Sequence, residues 1–140
     1  MKGCLTVCVL VILSVLSLHW VMFGDRSSFA TGLPNLNGLP KEASDITVYQ
    51  NKNISGVFLA DFRIPEKDLV TFGIAHNWDL RPVSGSVSVF HANAFHERRP
   101  NERKEISDGL YYSKRVNNGG GVTVAYDRKE GRAYIDRSSR

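Results

Sequence analysis

The chain has 140 residues, of which 42% are hydrophobic and 23% charged, with 18 Lys and Arg against 14 Asp and Glu and only 2 Cys. That mixture excludes a collagen-like repeat, a disulfide scaffold and a wholly disordered polymer, because the apolar fraction is enough for a packed core. The length suits one folded domain, and no motif identifies a reaction.

From Cys4 to Phe23 the chain reads CLTVCVLVILSVLSLHWVMF, twenty residues without a formal charge. As a helix this would be about 30 Å long, the thickness of a hydrocarbon core. Trp20 lies near one end and Lys2 with the α-amino group near the other, which predicts a single-pass anchor with the N-terminus cytoplasmic. A cleaved secretory signal is the alternative, since Ser28-Phe29-Ala30 offers small residues at the positions a signal peptidase needs, and the domain would then be secreted. Both readings export the rest of the chain, to the periplasm or the extracellular space. Cys4 and Cys8 fall inside the apolar segment, so the exported part has no thiol and must be stable through its core.

Residues 24–44, GDRSSFATGLPNLNGLPKEAS, are rich in Gly, Pro, Ser and Asn and read as a flexible tether, with Leu33, Leu36 and Leu39 available as a docking peptide. The organisation expected is therefore a signal-anchor at 1–23, a tether at 24–44 and an exported α+β domain at 45–140. Asn53-Ile54-Ser55 is a glycosylation sequon that matters only in a eukaryotic host.

Gly56 to Ile64 alternates Phe58, Ala60, Phe62 and Ile64 against its other residues, the pattern of a strand buried on one side. Pro65 with Glu66 and Asp68 makes a good first helical turn, and Asn77 a stop, which predicts a helix over 65–76. Strand alternation of Val70, Phe72 and Ile74 competes with it. Arg81 to Phe90 reads as one or two further strands. The stretch 97–105, ERRPNERKE, carries seven charges in nine residues and reads as a solvated loop.

Gly109–Val116, Val122–Asp127 and Arg132–Asp136 form a predicted three-stranded meander, joined by the turn chemistry of Asn117 to Gly121 and of Arg128 to Gly131. Leu110, Tyr112 and Val116 would share a core face with Val122, Val124 and Tyr126, while Tyr111, Ser113 and Arg115 point to a wet one. The fold expected is α+β: the N-terminal transmembrane or signal helix, then a small, mainly antiparallel sheet with one covering helix.

Gly24 to His96 carries 6 basic and 7 acidic residues, whereas Glu97 to Arg140 carries 11 and 7, so the positive balance belongs to the C-terminal third. This points to a binding module whose contact surface is the wet face of the meander, with Tyr111, Arg115, Arg132 and Tyr134 as contact residues. Its partner would be an anionic polymer, an anionic headgroup or an acidic protein face. No nucleic-acid-binding motif is present, and export removes the chain from most nucleic acid. The alternative is a small envelope hydrolase in which His91, His96 and nearby acids hold a metal, although their spacing matches no short zinc pattern. No other cofactor is implied.

Overall fold

The computed structural model describes residues 10–17, 26–52, 56–117 and 119–139. In chain order the strands are β1 (Ser27–Leu33), β2 (Ser44–Asn51), β3 (Val57–Arg63), β4 (Arg81–Pro82), β5 (Val87–Val89), β6 (Lys104–Ile106), β7 (Gly109–Arg115), β8 (Gly121–Asp127) and β9 (Arg132–Ser138). The helices are α1 (residues 10–17), α2 (Glu66–Ala75) and α3 (Ala92–His96). Seven strands form one antiparallel sheet in the order β1-β2-β3-β9-β8-β7-β4, and β5 pairs with β6 separately. The architecture is α+β, mainly antiparallel, as the element pattern predicts.

The register follows the apolar alternation. Leu110 faces Tyr126, Tyr126 faces Ala133 and Ala133 faces Phe62, so these side chains share one face of the sheet. That face carries the larger core, with Ile46, Ala60, Phe62, Val124 and Ile135 almost fully buried beneath Leu69 of α2 and Trp78. Fully burying a side chain of this size contributes about 1.5–3 kcal/mol, which makes the face the main source of stability.

Helix α2 begins at Pro65, whose φ of −61° suits a helix entry, and Glu66 and Asp68 place negative charge in its first turn. Its end is a Schellman motif. Asn77 adopts φ 56°, its N–H donates to the Ile74 carbonyl, and the Trp78 N–H donates to the Gly73 carbonyl at 2.8 Å. The Phe72 and Trp78 rings then meet edge to face, 5.5 Å apart, so the cap also sets the indole against the core. The competing strand reading of this segment fails because its proline start and asparagine stop both act as helix signals.

Three expectations are corrected. The stretch 24–44 does not hang as a tether: Ser27–Leu33 forms β1, in register with β2 from Ser27↔Asn51 onward, and Leu39 and Ala43 are buried in the core. The folded body therefore begins near Arg26 rather than Asp45, because Leu33, Leu36 and Leu39 supply apolar surface that the sheet covers. The polar stretch after Phe90 is not a simple loop either. Ala92 and Ala94 are small enough for α3 to lie close against β2 and β3, and Lys104–Ile106 forms β6.

The third correction concerns the face expected to be wet. α3 and the β5–β6 pair cover it and bury Ala125 and Tyr134 with Val89 and Ile106 in a second, smaller core. The sheet thus has one helix on one face and a short helix with a strand pair on the other. Of the expected span Cys4 to Phe23, residues 10–17 are helical and the remainder lies outside the described residues, as does Asn53. Among the described residues no helix is long and apolar enough to cross a membrane.

Candidate functional site

The four residues expected to form a contact surface do lie on one face, but packing and ion pairs engage them. Tyr134 is buried, and its hydroxyl donates to Glu130 Oε2 at 3.0 Å; burial pushes its phenol pKa up, and the Glu130 carboxylate adds to the shift. Tyr111 packs on the second core. Arg115 reaches Asp136 and donates to Ser138 Oγ at 2.8 Å and Thr123 Oγ1 at 3.2 Å. Arg132 donates from Nε and Nη2 to Asp61 Oδ1 at 2.9 and 2.7 Å, and from Nη1 to Asp45 Oδ2 at 2.8 Å.

Around Arg132 the same face opens into a cleft of about 380 Å³ lined by Asp61, His91, Glu102, Lys104, Glu130 and Tyr134, among others. Its charges neutralise one another. Lys104 pairs with Glu130 and lies 3.6 Å from Asp127, and its hydrogen bond holds the Glu130 carboxyl below the usual range. Asp61 Oδ2 also accepts the Ala92 N–H at 3.3 Å, so one buried carboxylate ties β3 to β9 and to the start of α3. Chemically this is a staple holding the covering layer to the sheet, since each acid is met by a cation or an N–H.

The two histidines are not brought to one site. His91 Nε2 lies 3.9 Å from Glu102 Oε1, whereas His96 stacks on Phe29 with centroids 3.9 Å apart and rings 5° from parallel. Among the described residues no three His, Cys, Asp or Glu side chains converge to hold a metal ion. The structure thus gives the metal-hydrolase alternative no site in the described part of the chain.

A different cation stands out at the end of β9. Arg137 is partly buried on the face of the larger core, with its guanidinium carbon 5.4 Å from the Trp78 ring centre and 6.0 Å from that of Phe58. Trp78 in turn stacks with Tyr112, 6.4 Å away. Among the described residues no carboxylate pairs with Arg137, and burial alone pulls its pKa below the usual guanidinium value. A cleft of about 230 Å³ beside it is lined by Gln50, Asn51, Gly56, Val57, Phe58, Ser138 and Ser139, with no acid among them. The rings offset part of the desolvation, about 1–2 kcal/mol, and an ordered anion would offset more.

The surroundings of Arg137 share its sign. Ser27, Asn51, Val57, Ser138, Gly121 and Arg115 are in register across six strands, and the next row is Ser28, Gln50, Phe58, Arg137, Val122 and Lys114. In these rows and the described residues flanking them the cations are Arg26, Lys52, Lys114, Arg115 and Arg137, and the acid is Asp136, which lies on the opposite face of β9 from Arg137 and pairs with Arg115. The opposite end is balanced: Asp45, Glu66, Asp108, Asp127 and Glu130 lie among Arg63, Arg128, Lys129 and Arg132 and pair with most of them.

Sequence reasoning misses Arg137, and a signal for it existed. Ala133 and Ile135 put the core face of β9 on odd positions, which makes Arg137 a cation on an apolar stripe. Trp78 is missed because its position depends on the helix cap. No known protein family, curated protein or solved structure matches the chain.

Proposed function

We propose that this chain is a membrane-tethered domain, displayed on the non-cytoplasmic side, that acts by binding an anionic partner through its C-terminal meander. The tether is the uncharged stretch Cys4 to Phe23. Arg137 carries the reading: a partly buried guanidinium over Trp78 and Phe58, without a described carboxylate, beside a cleft lined by neutral groups. A protein that retains an uncompensated cation against its core departs from the rule that buried charges are paired, and such departures concentrate at functional sites. The contact surface is accordingly the β7–β9 end that bears Lys114 and Arg137, not the covered face that bears Arg132 and Tyr134.

Retention of the full chain on immobilised polyglutamate, in neutral detergent, tests this. Arg137→Gln and Lys114→Gln should elute at lower salt than the parent, while Lys67→Gln, an equal loss of charge on α2, should elute with it. Identical elution of all three variants would refute the surface. The intact mass of the natural protein decides whether the anchor is retained, since cleavage after Ala30 would remove it together with the start of β1.

A further inference from the structure

We infer that the uncovered edge of β7 takes an extended acidic peptide as an added strand, antiparallel to β7 and in line with β4. The inference rests on reading the meander as a contact surface for an anionic partner and names the form in which the acid arrives. Its starting point is how little of β7 is covered. β7 pairs with β8 along all seven of its residues, but β4 meets it only at Arg81↔Tyr111 and Pro82↔Leu110. Upstream of Arg81 the chain turns away, because the Leu80 N–H donates to the Trp78 carbonyl at 3.0 Å. Ser113, Lys114 and Arg115 are therefore exposed beyond the reach of β4, on the outer side of the sheet.

The ladder identifies the backbone groups that this edge presents. In an antiparallel pair, hydrogen-bonded positions alternate along each strand. The Val116 N–H donates to the Gly120 carbonyl at 2.9 Å and the Arg128 N–H to the Asp108 carbonyl at 3.1 Å, which turns the even-numbered residues of β7 towards β8. The odd-numbered ones face outward, and the Val83 N–H accordingly donates to the Gly109 carbonyl at 3.0 Å. Ser113 and Arg115 thus aim their N–H and C=O groups away from β8, past the start of β4. A cleft of about 500 Å³ lies against this edge, lined by Pro82, Val83, Val87, Tyr111 and Tyr112, among others. The opposite edge of the sheet is less suited to pairing, since β1 is bulged between Ala30 and Leu33, where Gly32 adopts φ 68°.

Charge selects the occupant. Lys114 lies between the two outward-facing residues, exposed, and among the described residues no acid pairs with it. Arg115 does not compete, because its guanidinium lies back over the sheet on Asp136, Ser138 and Thr123. Asp79, the acid in the cleft lining, is held by Arg81 Nε at 2.8 Å. On an added antiparallel strand the residue opposite Lys114 takes a non-hydrogen-bonded position, where side chains approach closest and opposite charges stabilise the pair. The residue opposite Ser113 falls on the face of Tyr111, Val83 and Val87, which suits an apolar side chain. A second copy of the chain fits worse. Pairing β7 with itself through Ser113 and Arg115 sets Lys114 or Arg115 directly opposite its own copy, where like charges repel, and the register centred on Ser113 needs the edge of Tyr111 that β4 occupies.

Titration of the full chain, in neutral detergent, with a capped seven-residue peptide alternating valine and glutamate tests the inference. The peptide should bind and slow hydrogen exchange at the Ser113 and Arg115 amides at least about tenfold, with the Tyr112 and Lys114 amides, already bonded to β8, changing little. When glutamate faces Lys114, the valine N–H groups face β7. N-methylation of the valines should therefore weaken binding at least about tenfold, whereas N-methylation of the glutamates, at the same charge, should leave it within about twofold. Lys114→Gln should weaken the unmodified peptide about two- to fivefold. Equal binding of the two methylated peptides, or no binding of any peptide while polyglutamate still holds the chain through Lys114, would overturn strand addition and leave the anionic surface standing. A chain that neither binds the peptide nor is held by polyglutamate would overturn both.

Discussion

Replacing Arg132 by methionine separates a structural role for this residue from a contact role. Its guanidinium makes two hydrogen bonds to Asp61 Oδ1, at 2.9 and 2.7 Å, and the two side chains are only 15% and 7% exposed. The bond to Asp45 counts for less, because that carboxylate is 52% exposed and screened, worth about 1 kcal/mol or less. In Arg132→Met, Asp61 keeps only the Ala92 N–H at 3.3 Å, and stranding a buried charge in this way costs about 3–5 kcal/mol. Against a total stability of about 5–15 kcal/mol the loss is large. At about 4 °C per kcal/mol it lowers Tm by about 12–20 °C, read by circular dichroism of the full chain in mild detergent. Asp61→Leu added to Arg132→Met should recover most of this, since replacing a whole buried pair by apolar groups is often neutral. An Arg132→Met protein that melts with the parent but elutes early from polyglutamate would refute the structural role and return Arg132 to the binding surface.

Two further outcomes follow from the fold. Gly121 opens β8 at φ 134°, and a Cβ there would lie 2.2 Å from the Lys114 carbonyl oxygen, so Gly121→Ala should cost about 2–3 kcal/mol by the same melting assay. Acid should destabilise the body. Hydrogen bonds from Arg132, Arg128 and Lys104 hold the carboxyls of Asp45, Glu66 and Glu130 below their ordinary values. Their stabilisation is present above the unfolded values and is lost as pH falls through the lower folded ones, so Tm should drop below about pH 4.5. Burial raises Asp136, which acts in the opposite sense, and Glu66→Gln should flatten the acid limb.

Much of the fold is legible because it is local. The Pro65 start and Asn77 stop of α2 act through φ angles and orphan backbone groups within one turn of the chain. The β7–β8–β9 meander follows from alternation and short turns, and its core face contains Leu110, Tyr112, Val122, Val124 and Tyr126 as alternation assigns them, whereas Val116 lies beyond the end of β7 and is exposed. The candidate site is legible only in part. A basic C-terminal third is visible from composition, but composition cannot say which cations are already spent on acids. Arg132 and Asp61 are separated by 71 positions, and Arg128 and Glu66 by 62.

The sequence by itself determined the uncharged N-terminal stretch, the antiparallel α+β character and the sign of the C-terminal charge, because hydrophobic period, turn chemistry and formal charge are properties of neighbouring residues. Only the tertiary structure decided that the glycine- and proline-rich stretch after it supplies an edge strand, that the meander's second face is covered, and that Arg137 lies over the Trp78 and Phe58 rings without a described carboxylate. Each of these depends on which distant segment occupies a surface. Burial is settled by the whole chain competing for the same apolar faces, and no local window contains that competition.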